Sequence, residues 1–204
     1  MSASFEKAYA PLAAFEGGYA NDPSDRGGET YAGIARNFFP EWPGWAIVDK
    51  WKKSLGENAA VLTRALATAP DLQELVADWY RAEWWDRLGL ASLPQALADE
   101  IFEQSINLGK AGAGKKVQIV CNAYNRGRDG KPLFADLAVD GAIGPRTLNA
   151  LRLLIERRMD AYGLVHALNC MQGAHYLELA AGRPGQRKFT SGWMSRTRCP
   201  DESH

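Results

Sequence analysis

The sequence predicts a mainly α-helical protein with one small β-hairpin near its N-terminus. Apolar residues recur every three or four positions along most of the chain, which is the period of an amphipathic helix. Proline and glycine stand where these segments begin and end. Only residues 19–34 combine turn signals with a short extended pattern, at Asp22-Pro23 and Gly27-Gly28. The 204 residues suffice for one large domain or two small ones.

The first helix is predicted over residues 4–16, where one face of a 3.6-residue period carries Phe5, Tyr9, Leu12 and Glu16. Pro11 lies inside this pattern, so the helix is expected to kink there or to start late. Gly17 and Gly18 follow directly and are expected to end it.

The remaining elements are predicted to be helices joined by short loops. Residues 38–53 contain aromatic residues and prolines, and indicate an irregular loop that leads into a short helix. Asp71 and Glu74 form a capping-box pattern before another helix, and Pro145 is placed as the first residue of a later one. Helices are also predicted over residues 57–69, from Gln95 to Gly109, over 113–124, from Pro145 to about 158, and over 160–181.

Charge is unevenly distributed although the formal net charge is zero. Residues 1–104 carry 9 Lys/Arg and 16 Asp/Glu, whereas residues 105–204 carry 15 and 8. A basic half can face an anionic partner, and a cell-wall surface fits this as well as packing between oppositely charged halves does. No nucleic-acid motif accompanies the charge, so no nucleic-acid partner is expected.

Several classes of protein are excluded by composition. Three cysteines without a Cys-x-x-Cys pair, and three histidines without a ligand spacing, indicate neither a disulfide framework nor a metal site. Cys121 and Cys170 are expected in the core. No apolar run is long enough for a membrane span, and no secretory signal is recognisable. The sequence thus predicts synthesis in the cytoplasm, no stable membrane insertion, no cofactor and a monomer.

Glu16 has the surroundings of a proton donor. It is predicted at the C-terminal end of the first helix, where the helix dipole disfavours a carboxylate, and its apolar neighbours act in the same direction. A glutamic acid that stays protonated near neutral pH can protonate a leaving group. The alternative is an ordinary helix end followed by two glycines.

Asp25 and Thr30 follow within the glycine-rich turn. A carboxyl group with a raised pKa, an ionised carboxylate and a hydroxyl that holds water are the groups that hydrolyse a glycosidic bond. If Asp25 activates the water, the anomeric configuration inverts and the two carboxyl groups lie roughly 6.5–9.5 Å apart. Asp22 and Asp25 are equally the residues of an ordinary turn. Asp22 and Asp140 are interpreted as turn residues and Glu29 as a bystander.

Three further residues are candidates for substrate binding. Tyr19 and Tyr31 flank the predicted hairpin beside Glu16. Tyr19 either shapes the cleft or hydrogen-bonds a carboxylate. Asn107 follows an apolar helix face and precedes Gly109, so it either caps that helix or binds an acetamido group.

Five motifs, in order along the chain, resemble glycoside hydrolase family 108. They are Glu16-Gly17-Gly18-Tyr19 with Asn21-Asp22-Pro23, Asp25-x-Gly27-Gly28-x-Thr30 and Gly33-Ile34; Tyr80-x-x-x-Trp84-Trp85-Asp86; Phe102-x-x-x-Ile106-Asn107-x-Gly109; Val139-Asp140-Gly141-x-Ile143-Gly144-Pro145-x-Thr147-Leu148; and Gly192-Trp193-x-x-Arg196. The family consists of N-acetylmuramidases found among phage endolysins and bacterial proteins once labelled secretion activators. The resemblance spans nearly the whole chain.

This resemblance implies a lysozyme-like fold and cleavage of the β-1,4 bond between N-acetylmuramic acid and N-acetylglucosamine. It places the catalytic glutamate at Glu16. Phage-type lysozymes have the spacing Glu-x(8)-Asp-x(5)-Thr, and here the second interval, from Asp25 to Thr30, is one residue shorter. The catalytic candidates are therefore Glu16, Asp25 and Thr30, and the expected partner is bacterial peptidoglycan.

The resemblance also sets the expected organisation and the alternatives. Residues 1–90 are expected to form a catalytic lobe and residues 91–204 a helical lobe that resembles a peptidoglycan-binding region, packed into one unit. A phage endolysin released through a holin is the expected setting. A lytic transglycosylase, which needs no water base, and a wall-binding or secretion-accessory protein without activity remain open.

Overall fold

The computed structural model describes residues 2–13, 17–22 and 24–197. The described chain contains strands β1 (Tyr19–Asn21), β2 (Glu29–Tyr31) and β3 (Ile34–Ala35), and helices α1 (Phe5–Ala13), α2 (Gly44–Leu55), α3 (Ala59–Leu66), α4 (Pro70–Tyr80), α5 (Gln95–Leu108), α6 (Lys110–Ala123), α7 (Pro145–Arg157), α8 (Ala161–Gly182) and α9 (Thr190–Met194). The mainly helical, lysozyme-like fold that the sequence predicts is confirmed. The chain divides into two compact units, Tyr9–Glu83 and the remainder.

The unit Tyr9–Glu83 contains an antiparallel sheet in the order β1-β2-β3. Tyr19 lies opposite Tyr31, and Thr30 lies between Ala20 and Ala35. Because side chains alternate along a strand, Tyr19, Glu29 and Tyr31 share one face, and Thr30 shares the other with two alanines. The predicted hairpin is present, and a two-residue third strand extends it.

Helices α2, α3 and α4 supply most of the core of this unit. Buried side chains of this unit include Tyr19, Tyr31, Ile34, Trp42, Trp45, Val48, Leu62, Leu66, Leu72, Val76 and Tyr80. The start of β1 is attached to α3, because the Tyr19 N–H donates to the Thr63 hydroxyl at 2.9 Å. This bond connects the first strand to the helical core.

The second unit consists of residues 2–8 and 84–197 of the described chain. Phe5, Trp85 and Phe102 form an edge-to-face aromatic cluster with ring centroids 5.7–5.9 Å apart. Such pairs add roughly 0.5–1.5 kcal/mol each to the area that they bury. The aromatic cluster therefore connects the first turn of α1 to α5.

Several predicted boundaries are wrong in detail. Pro70 is the first residue of α4 and Ala69 precedes it without a side-chain cap, so Asp71 and Glu74 form no capping box. Helix α2 runs for 12 residues from Gly44, where an irregular loop and a short helix were predicted. Pro11 lies inside α1, which starts at Phe5.

The two helical cysteines differ from each other. Cys121 is buried on α6, as predicted, and burial raises the pKa of its thiol to about 12. Cys170 is exposed on α8, so its predicted core position is wrong. Helix α8 is rich in apolar residues on every side, and only packing decides which of its faces is buried.

No helix in the described part of the chain is long and apolar enough to cross a bilayer.

Candidate active site

The turn that carries Asp25 is built by its own main chain and side chains. The Asp22 carboxylate accepts hydrogen bonds from the Ser24 hydroxyl at 2.7 Å and from the Ser24 N–H at 2.8 Å. These bonds lower the pKa of Asp22. The Asp25 N–H donates to the Asp22 carbonyl, and the Asp25 carbonyl accepts from the Gly28 N–H, both at 3.0 Å. Asp22 is thus the turn residue that the sequence predicts.

Asp25 and Thr30 come together around Gly27. One Asp25 oxygen accepts the Gly27 N–H at 2.8 Å. A Cβ placed on Gly27 would lie 3.5 Å from Asp25 Oδ1, 3.7 Å from Thr30 Oγ1 and 3.0 Å from the Ala35 Cβ. Both polar groups therefore border the small space that the missing side chain leaves open, on the alanine-lined face of the sheet.

The hydrogen bonds beside Gly27 determine which groups can still accept a hydrogen bond. The Thr30 hydroxyl donates to the Gly28 carbonyl at 3.1 Å, so its own oxygen is left as an acceptor. Asp25 uses Oδ1 for the Gly27 N–H, and its side chain is exposed. Asp25 and Thr30 therefore both keep hydrogen-bond acceptors beside Gly27.

Glu16, the predicted proton donor, lies outside the described residues. The described part of α1 ends at Ala13, and the chain is described again from Gly17. The separation of the Glu16 and Asp25 carboxyl groups is therefore still a prediction.

Tyr19 and Tyr31 are both buried, on the face of the sheet opposite Thr30. The Tyr31 hydroxyl accepts a hydrogen bond from the Gln73 amide at 2.7 Å, and burial raises its pKa. The Tyr19 hydroxyl donates to Glu29 at 2.7 Å. Of the two roles foreseen for Tyr19, the structure contains the bond to a carboxylate. A sugar contact by either ring stays a prediction.

Glu29 is the centre of a charged network that sequence reasoning did not identify. Its carboxylate accepts hydrogen bonds from the Tyr19 hydroxyl and the Lys52 ammonium, each at 2.7 Å, and forms an ion pair with the Arg36 guanidinium at 3.0 Å. Arg36 also contacts Asp49 at 2.8 Å. The Glu29 side chain is only 10% exposed, and its hydrogen bond raises the pKa of Lys52. Glu29 therefore connects β1, β2, the start of the loop after β3, and α2.

Asn107 lies in the other unit, on the last turn of α5. Its amide donates to the Glu103 carboxylate at 2.6 Å and to the Glu103 carbonyl at 2.9 Å, and its oxygen accepts from Arg196. Arg196 also contacts Glu103 at 3.4 Å. Two residues from separate sequence motifs, Asn107 and Arg196, thus meet through one glutamate. A contact between Asn107 and an acetamido group stays a prediction.

A buried polar layer continues from this contact between α5 and α8. Glu100 accepts from the Gln104 amide at 2.6 Å and from the Asn169 amide at 3.0 Å, and Glu103 accepts from Gln172 at 2.9 Å. Burial, with a smaller contribution from neighbouring Glu103, raises the pKa of Glu100 to about 7. Burial raises the pKa of Glu103 as well.

The buried Glu100 in this layer predicts that the free energy of unfolding falls as pH rises. The folded state holds a proton on Glu100 that the unfolded chain releases near its ordinary value of 4.5. The stabilisation is therefore complete below pH 4.5 and is lost as pH rises to about 7, by roughly 2–3 kcal/mol. We expect Glu100→Gln to reduce this loss between pH 5 and pH 8, measured as the free energy of unfolding in urea.

Asp86→Asn, which removes an exposed acid from the same unit, is the matched control and should retain the parent's pH dependence. An unchanged slope in Glu100→Gln would contradict the assignment.

Two family models match this chain. The model described as glycosyl hydrolase 108 matches residues 9–109, and the one described as predicted peptidoglycan domain matches residues 118–198. A solved structure titled "Structure of Brucella abortus SagA" is similar, with 25% identity, a TM-score of 0.56, and coverage of 95% of this chain and 88% of that one. No curated protein matches significantly.

Proposed function

The chain belongs to the glycosyl hydrolase 108 family over residues 9–109, and we propose that it is an N-acetylmuramidase. Both family models support hydrolysis of peptidoglycan. The proposal adds the bond that is cut, the β-1,4 link from N-acetylmuramic acid to N-acetylglucosamine, and the residues that cut it. A role in phage lysis is part of the same proposal and depends on the motif resemblance.

The observation that carries the mechanism is the pair of acceptors around Gly27. A water held there donates one hydrogen bond to Asp25 and the other to Thr30, which leaves a lone pair for the anomeric carbon. Glu16 protonates the glycosidic oxygen as the bond breaks, and Asp25 takes the proton of the attacking water. Both sugars then leave with complete hydroxyl groups, and attack from the opposite face inverts the anomeric centre.

The glycine at position 27 belongs to this mechanism because of its missing side chain. A methyl group there would occupy the space that the water needs and would press on Ala35. The small residues beside it, Ala20 and Ala35, keep that face of the sheet open to a polymer.

The competing reaction is that of a lytic transglycosylase. In that reaction the muramic acid 6-hydroxyl attacks its own anomeric carbon, so no water and no water-binding pair are needed. The pairing of Asp25 with Thr30 supports hydrolysis over this alternative. A binding protein without activity is the other alternative. The pairing of Asp25 with Thr30 favours an active hydrolase over this alternative too.

Product analysis on purified peptidoglycan tests the proposal. Mass spectrometry after digestion in H₂¹⁸O is expected to show reducing muramic acid ends that carry one heavy oxygen. Anhydro-muramic acid products would establish the transglycosylase reaction, and the absence of sugar products would establish a protein without this activity. Asp25→Asn is expected to lose the hydrolytic products, whereas a transglycosylase would tolerate that change.

A further inference from the structure

A groove in the second unit is the strongest feature that the proposed catalytic site does not use. It has a volume of about 790 Å³ and is bordered by residues 134–142 and by the first turns of α7. It lies within the region that matches the peptidoglycan-domain model, residues 118–198. That match assigns no binding surface within the region.

The segment that borders the groove is irregular, and two asparagines attach it to α6. Asn122 accepts from the Leu137 N–H and donates to the Leu137 carbonyl, each at 2.8 Å. Asn125 accepts from the N–H groups of Leu133 and Phe134, and donates to the Phe134 carbonyl at 2.8 Å. The two amides therefore hold residues 133–137 against α6 and its C-terminal end.

Main-chain groups of the same segment are left free beside the groove. The main-chain groups of Ala135, Asp136 and Ala138 make no hydrogen bond within the described residues, and all three residues are exposed. Free main-chain N–H and C=O groups can bind the main chain of a peptide. All three residues line the groove.

Charged groups of both signs border the same groove. Arg146 is exposed on the first turn of α7, and no acid of the described chain pairs with it. Asp136 and Asp140 each use only Oδ1, for Asn125 in the first case and for Ala142 and Gln118 in the second. The groove therefore offers one guanidinium and two carboxylate oxygens to a ligand that carries both charges.

We propose that this groove binds the stem peptide of peptidoglycan rather than its glycan strand. The stem peptide is short and extended, and it carries free carboxylates and, in many walls, a free ammonium group. Its main chain pairs with the free main-chain groups of residues 135, 136 and 138, its carboxylate with Arg146 and its ammonium with Asp136 or Asp140. A bare glycan strand has no ammonium and no peptide main chain. This inference depends on the proposed function, because it assumes a peptidoglycan substrate.

NMR titration with the synthetic tetrapeptide L-alanyl-γ-D-glutamyl-L-lysyl-D-alanine tests the assignment. We expect amide shifts at Ala135, Asp136 and Ala138, and a Kd at least ten-fold weaker for Arg146→Ala. Arg157→Ala removes an exposed arginine from the end of the same helix and should bind like the parent. Glycan strands freed of peptide by an amidase should leave these amides unchanged.

Three results would overturn the inference. The tetrapeptide could leave the chemical shifts of these amides unchanged, Arg146→Ala could bind like the parent, or the peptide-free glycan could change the chemical shifts of the groove residues instead. Arg146 is exposed, and near-parent thermal unfolding of the variant will show that it folds.

The two proposals fail in distinguishable ways. Peptide binding without any sugar product rejects the muramidase assignment alone. Hydrolysis by a protein that does not bind the tetrapeptide rejects the groove assignment alone.

Discussion

Glu16→Gln is expected to lower kcat/KM on purified peptidoglycan by about 10²–10⁴-fold, the usual contribution of a general acid. Glutamine keeps the size and polarity of the side chain but cannot give a proton to the glycosidic oxygen. Release of reducing ends, measured as initial rate against substrate concentration, checks the expectation.

The control for this experiment is Glu41→Gln, which removes an exposed carboxylate from the unit Tyr9–Glu83. It should hydrolyse walls at the parent rate. Sedimentation with insoluble walls separates catalysis from binding, and Glu16→Gln should still co-sediment. A Glu16→Gln protein as active as the parent would show that another group protonates the leaving oxygen.

Glu29→Gln is expected to destabilise the unit Tyr9–Glu83 by roughly 2–3 kcal/mol. Removing the carboxylate leaves Lys52 and Arg36 partly buried without a charged partner at that point, which costs more than loss of an exposed pair. The partial exposure of both cations, 17% and 29%, places the expected loss below that of a fully buried pair. Urea unfolding with amide hydrogen exchange at Tyr31 and Ala35 measures it.

Glu57→Gln is a matched control, because Glu57 contacts the same lysine at 3.6 Å but is 73% exposed. We expect it to change the free energy of unfolding by less than about 0.5 kcal/mol, as for other surface pairs. Equal effects at positions 29 and 57 would mean that the network adds nothing beyond a surface contact.

The helical skeleton could be predicted from the sequence because its signals are local. The prediction for α7 is confirmed to within a residue at each end, since proline favours the first position of a helix and the apolar period continues to Arg157. The sheet was predictable from glycine and Asp-Pro turn signals. The predicted capping box of Asp71 and Glu74 is wrong for an equally local reason. Helix α4 begins at Pro70, so Asp71 lies inside the helix and cannot cap it.

The environment of Glu29 could not be predicted in the same way. Its partners Arg36 and Lys52 lie 7 and 23 residues away, and no spacing rule connects a strand to the next helix. In the sequence, Asn122 and Asn125 are ordinary polar residues near the end of α6. Only the structure shows that their amides hold residues 133–137 beside the groove.

The sequence by itself determined the helical period, the position of the turns and the order of the family motifs, because each depends on neighbouring residues. Only the tertiary structure decided that Thr30 faces the Asp25 turn while Tyr19 and Tyr31 face the core, and that Glu29 holds two cations. It also decided that the main-chain groups of residues 135, 136 and 138 have no partner within the described residues. These outcomes depend on contacts between residues distant in the chain, and such contacts leave no periodic signal in the sequence.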